Sequence, residues 1–228
     1  MYDIVFISYN EPNADKNWNN LKQRFPSAKR VDGVKGIFQA HQKAAKKCFT
    51  KMFWVVDADA ELLEDFSFNY EVDDYNLETV HVWRSINPVN DLIYGYGGVK
   101  LLPRKLTLNI DTLKTDMTTS ISSKFKAVSV ISNVTAFNTD SFSAWKSGFR
   151  ECAKLASKTI DRQKDYETFE RLDIWCNKGT NKPFGIDAIR GAKAGKKFGE
   201  ENKDNLEKLS KINDFEWLYE QFSKNSVR

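Results

Sequence analysis

The apolar and polar positions follow two periods along the first part of the chain. Asp3–Ser8 (DIVFIS) is a short apolar, β-rich run followed by the turn-formers Tyr9-Asn10-Glu11-Pro12-Asn13, which predicts a buried strand entering a loop. Asp15–Phe25 carries Trp18, Leu21 and Phe25 at helical spacing and stops at Pro26. Ala28–Val31 predicts a second strand and Asp32-Gly33 a turn. From Gly36 to Thr50, Ile37, Ala40, Ala44 and Cys48 share one helical face and Lys43, Lys46 and Lys47 another. Met52–Val56 (MFWVV) is again a continuous apolar strand, ending at Asp57. Strand–helix alternation of this kind predicts an α/β fold with a mixed, mostly parallel central sheet flanked by helices.

The middle of the chain reads as β. Glu78–Arg84 alternates, Leu92–Leu102 carries Gly95, Gly97 and Gly98 between apolar flanks, and Ala127–Ile131 and Val134–Phe137 predict two strands parted by Ser132-Asn133. From Ser141 to about Arg171 the period returns to helical, through Phe142, Trp145, Phe149, Cys152, Leu155 and Ala156. Residues 176–199, rich in Gly and Lys, predict a loop, and Asn202–Phe222 an amphipathic helix.

Composition narrows the class. A chain of 228 residues, 41% hydrophobic and 29% charged, suits one core-burying domain over 1–228 and excludes collagen-like and disordered chains. No apolar run approaches the roughly 18 residues that span a bilayer. The N-terminal residues lack a basic region and a cleavage site, so no secretory signal is expected, and with no such apolar run no membrane partner is expected either. Cys48, Cys152 and Cys176 have no CxxC spacing and predict reduced thiols in a cytoplasmic protein. The net charge of +4 hides a block: residues 57–78 hold nine acidic and no basic residues between basic flanks.

That block opens with Asp57-Ala58-Asp59-Ala60-Glu61, directly after an apolar strand. Ligands of open α/β sheets bind beyond the carboxyl ends of strands. Two carboxylates spaced i, i+2 at such an end suit one hard cation, Mn²⁺ or Mg²⁺, bridging a diphosphate. The alternative is an exposed acidic turn.

Three elements in order, Ser8-Tyr9-Asn10-Glu11-Pro12, then Lys35-Gly36 opening a helix, then Trp54-Val55-Val56-Asp57-Ala58-Asp59, resemble the nucleotide-binding half of GT-A fold glycosyltransferases. The likeness is to the large inverting group called family 2, and it covers about residues 3–65. It implies a single Rossmann-like GT-A domain with a nucleotide-sugar-binding half (1–105) and an acceptor-side half (106–228) with C-terminal helices. It also implies that Tyr9, Asn10 and Glu11 line the base and ribose and that Asp32 approaches the base. Lys35 would lie near the ribose or phosphates, Gly36 would open a helix N-terminus suited to anions, and Asp57 and Asp59 would hold ribose and metal. The donor would be a nucleotide sugar, UDP-linked by expectation. No histidine follows His81, so a third metal ligand would be a carboxylate or water. The family's Glu-Asp pair and Gln-x-x-Arg-Trp-like motif are missing.

Further candidates lie downstream. Tyr94–Lys100 offers Gly97 and Gly98 for close backbone approach, Tyr94 and Tyr96 as flat faces for a sugar, and Lys100 as a cation. Arg150 and Glu151 fall one residue round from the Trp145–Phe149 face; Arg150 is a donor-contact candidate and Glu151 the first candidate for a general base, with Asp173 and Asp187 behind it. Lys178–Lys197 reads as a basic lid over a diphosphate, a phosphate-backbone contact or a solvated loop. The excess of Lys over Arg and the segments FNTDSFSAWKSGFRECAKL and RLDIW resemble small phage-encoded glycosyltransferases. That likeness implies 5-hydroxymethylcytosine in DNA as acceptor, with a glycan, protein or lipid acceptor as alternatives. A nucleotidyltransferase and a non-catalytic nucleic-acid-binding accessory are the rival classes.

Overall fold

A computed structural model describes residues 1–95, 97–112, 116–159 and 164–226. The chain forms two compact units: residues 1–87, 93–113 and 117–136, and residues 88–92, 114–116 and 137–228.

The first unit is α/β. Its elements are β1 (Asp3–Ser8), α1 (Ala14–Arg24), β2 (Lys29–Asp32), α2 (Ile37–Lys46), β3 (Met52–Asp57), β4 (Ala60–Leu62), β5 (Val80–Ile86), β6 (Ile93–Tyr94), β7 (Val99–Pro103), α3 (Arg104–Leu108), α4 (Met117–Ile121) and β8 (Phe125–Thr135). The sheet order is β2-β1-β3-β7-β5-β8-β4, with β6 paired to β5 off this path. The β2-β1-β3 block is parallel, and β7 then runs antiparallel to both β3 and β5. The sheet is therefore mixed, but not mostly parallel as expected: β1–β2, β1–β3 and β5–β8 pair parallel, whereas β3–β7, β5–β7, β5–β6 and β4–β8 pair antiparallel, because the strands from β3 to β7 are joined without crossover α-helices.

Side-chain alternation in β1 and β3 sorts the core into two layers. Ile4, Phe6, Trp54 and Val56 pack with Ala14 and Leu21 of α1 on one face. Val5, Phe53 and Val55 pack with Ala44, Ala45 and Cys48 on the face of α2. The two crossover helices thus cover opposite faces, and the chain reverses direction across β1. That is the arrangement that opens a crevice at the carboxyl ends of β1 and β3. On the α1 face Trp54 meets Trp83 at 4.4 Å between ring centroids and Phe68 at 5.0 Å, giving this layer an aromatic centre.

Three expectations change here. The two strands predicted over 127–137 are one eleven-residue strand, β8. Ser132 and Asn133 do not break it, because Ser132 Oγ donates to the Asn133 side chain, Asn133 Nδ2 to Thr135 Oγ1, and Thr135 Oγ1 to Ser85 Oγ. A polar pair inside a sheet is tolerated when its atoms are bonded to one another. The long helix predicted from Ser141 is two helices, α5 (Ser141–Ser157) and α6 (Asp165–Asn177), with residues 160–163 outside the described residues. The predicted tail helix is α8 (Leu206–Ser210), a short 3-10 turn and α9 (Phe215–Ser226).

The second unit is helical. Its largest difference from expectation is α7 (Gly185–Asn202), where the sequence predicts a basic loop. Gly191, Gly195 and Gly199 recur every four residues and bring α7 against the backbone of α5 at Trp145, Phe149 and Ala153, while Gly148 of α5 returns the contact at Ala188. The glycines thus serve close helix packing, and residues 185–197 are regular helix in place of the expected basic loop. Trp145, Phe149, Ile212 and Leu218 form the adjoining apolar cluster.

Candidate active site at the carboxyl ends of the parallel strands

The strand-end carboxylate Asp57 is positioned by backbone on every side. Its N–H donates to Gly98 O at 2.9 Å, the next carbonyl, Ala58 O, accepts from Asn17 Nδ2 of α1 at 2.8 Å, and Asp59 O accepts from Ala136 N at 2.7 Å. Asn17 lies on the buried face of α1 with Ala14 and Leu21. A polar residue on an apolar stripe is the one signal by which the sequence betrays this clamp.

Asp57 Oδ2 accepts from Lys100 Nζ at 2.6 Å, and Lys100 Nζ also donates to Gly97 O. The Lys100 side chain is 4% exposed and that of Asp57 35%, so the pair reaches from the core to the surface. Lys100 stands opposite Val55 of β3 and Val82 of β5, on the face that α2 covers. His41 of α2 is buried on that face; its Nδ1 donates to Ile37 O at 2.7 Å and its Nε2 has no hydrogen-bond partner. Burial first, and then the charge of Lys100, push the His41 imidazole down to about 4, against the smaller opposing pull of Asp57 and the Ile37 carbonyl. His41 is therefore neutral near pH 7.

A second polar group stands at the end of β1. Ser8 Oγ donates to Asp32 Oδ1 at 2.5 Å and accepts from Arg30 Nε at 2.9 Å; Arg30 also pairs with Asp15 at 2.7 Å. By alternation with Ile4 and Phe6, Ser8 and its register partner Asp32 belong to the α1 face, whereas Asp57 and Lys100 belong to the α2 face. Tyr9 N donates to Glu11 Oε2 at 2.8 Å, which folds the loop after β1 back on itself. Gly33 and Gly36 carry φ of +66° and +97°, a region open to glycine, so the backbone turns sharply before α2. Lys35 is exposed in that turn, and Asn10 is exposed after β1. Ser8, Asn17, Arg30 and His41 are the polar residues that sequence reasoning misses.

The other predicted residues belong to the second unit. Arg150 Nε donates to Ile212 O at 2.9 Å and its Nη2 to Asn213 Oδ1 at 3.1 Å, so its guanidinium ties α5 to the turn before α9. Asp187 pairs with Arg190 at 3.3 Å in the first turns of α7. Asp173 accepts from Asn177 Nδ2 at 2.9 Å on an exposed face of α6, and Glu151 is half-buried on α5. Tyr96 lies outside the described residues.

The donor set at β3 is hard oxygen, which fits Mg²⁺ or Mn²⁺. Among the described residues no group of three or more His, Cys, Asp or Glu side chains is arranged to hold a metal ion, so such an ion would need oxygens from its ligand or water as well. Also among the described residues, no helix is long and apolar enough to cross a membrane. No protein-family model matches the chain and no curated protein matches it significantly.

Proposed function

We propose that the protein is a metal-dependent glycosyltransferase of GT-A type, which moves a sugar from a nucleotide sugar, UDP-linked by preference, to an acceptor hydroxyl. The observation that carries this reading is the rigidly held Asp57-Ala58-Asp59 turn at the switch point of the β2-β1-β3 block. In that reading Ser8, Tyr9, Glu11 and Asp32 receive the nucleoside, and Asp57 and Asp59 hold the ribose and the cation. The cation would offset charge on the departing diphosphate. As the acceptor oxygen bonds to the anomeric carbon, the bond from that carbon to the diphosphate breaks and the hydroxyl proton passes to a base.

The acceptor favoured is 5-hydroxymethylcytosine in DNA. On α7, Lys193 and Lys197 are exposed at helical spacing, Lys197 lying 3.9 Å from Glu201; these are the cations proposed to meet a DNA backbone.

Calorimetry of UDP with Mn²⁺ tests the donor half, and mass spectrometry of hydroxymethylated DNA incubated with a panel of nucleotide sugars tests the acceptor. Binding that disappears in Asp57→Ala and Asp59→Ala, with a mass increment on the base, is expected. A native chain that neither binds nucleotide diphosphates nor hydrolyses any donor refutes the transferase reading and leaves the nucleic-acid accessory in its place.

A further inference from the structure

The buried lysine beneath the strand-end carboxylate has a definite task. A lysine is almost never fully buried unless its charge is paired, and Lys100 is paired on one side only. Two of its three N–H donors go to Asp57 Oδ2 and Gly97 O, the second being a backbone atom whose place is set by the sharp turn at Gly97, where φ is +86°. The ammonium is therefore held by strand β7 and its preceding turn, and it in turn holds a carboxylate that is one-third exposed. Oδ2 faces the core, and Oδ1 receives no hydrogen bond among the described residues. A buried His41, its Nε2 without a partner, stands on the same face and adds no competing donor to Asp57.

We propose that Lys100 is a positioning residue for the donor site, fixing Asp57 so that Oδ1 alone is presented at the end of β3. Resting on the transferase reading, this assigns Lys100 a role through Asp57, in place of the direct donor contact expected from the sequence. Aspartate side chains rotate about two bonds, and an unpaired Asp57 would offer either oxygen in several directions. The ion pair removes that freedom before any ligand arrives, and a pre-oriented acceptor lowers the ordering cost of binding.

The test is calorimetric titration of UDP with Mn²⁺ into the native chain and into Lys100→Met, Asp57→Asn and the double variant, with thermal melts of each. Lys100→Met is expected to weaken binding at least tenfold while still melting cooperatively. Added to Asp57→Asn, the same change is expected to alter affinity less than twofold, because there is no carboxylate left to orient. A lysine with a merely structural part would lower the melting temperature in both backgrounds and leave the affinity of the folded protein alone. A folded Lys100→Met that binds as the native chain does overturns the proposal. So does a further tenfold loss in the double variant relative to Asp57→Asn, since Lys100 would then touch the ligand itself. Should Lys100→Met fail to fold, Lys100→Gln, which keeps a donor for Gly97 O without the charge, takes its place in both backgrounds and carries the same outcomes. If the native chain binds no nucleotide diphosphate, the transferase reading has failed and this inference falls with it.

Discussion

A methyl group on Gly195 of α7 would lie 2.7 Å from the Cα of Phe149 on α5. The obstacle is backbone, so no side chain can rotate away, and the helices must part to admit it. Overpacking a tight contact costs about 1–3 kcal/mol, against about 1 kcal/mol gained from replacing glycine by alanine in a helix. Gly195→Ala and Gly191→Ala are each expected to destabilise the helical unit, read as a lower urea midpoint at unchanged slope.

Asp3 carries a pH-dependent share of stability. Burial alone would raise its carboxyl, but the Lys29 ammonium at 2.6 Å and the N–H groups of Phe49 and Thr50 outweigh it and hold the group at about 2. A folded value below the ordinary one gives stability that is complete above about pH 4 and lost as pH falls through about 2. Asp3→Asn is expected to cost about 2 kcal/mol at pH 7 and nearly nothing at pH 2, measured by denaturant melts at the two values.

His41 works in the same direction over a higher pH range. Its folded value near 4 lies below the ordinary 6.5, so the unfolded chain binds the extra proton between those limits. Stability should then fall as pH drops from 6.5 towards 4, by up to about 3 kcal/mol. In His41→Gln that slope is expected to flatten, and thermal melts at half-unit intervals will show whether it does.

The three cysteines are free and buried, but they are not alike. A hydrogen bond from Cys152, together with Lys196 and Lys193, draws the Cys176 thiol down to about 7 against the effect of burial, whereas burial pushes Cys48 up to about 12. The thiolate is the reactive form. At pH 8 iodoacetamide is expected to label Cys176 of the native chain first, and peptide mass spectrometry over a time course checks the order.

Much of the α/β unit is legible in the sequence because its elements are local. DIVFIS and MFWVV are β1 and β3 almost to the residue, and the helices between them keep their apolar stripes. What local pattern does not carry is a property of pairs distant along the chain. Lys100 reads as a ligand-facing cation beside glycines; only the pairing of β7 with β3 places it under Asp57. The glycines of 191–199 read as flexibility; their four-residue recurrence becomes packing only once α5 is there to be packed against. Ser132 and Asn133 read as a break because Ser85, which closes their hydrogen-bond chain through Thr135, comes alongside only when β8 lies beside β5.

The anchoring of Asp57, Ala58 and Asp59 to three different parts of the chain bears on how fast a ligand is captured there. A turn tied to α1, to the Gly98 loop and to the end of β8 has little to rearrange, so encounter and final complex should share one backbone shape. Association would then be governed by diffusion and charge rather than by loop closure, and the Asp57 amide, held by Gly98 O, should already exchange slowly in the free protein.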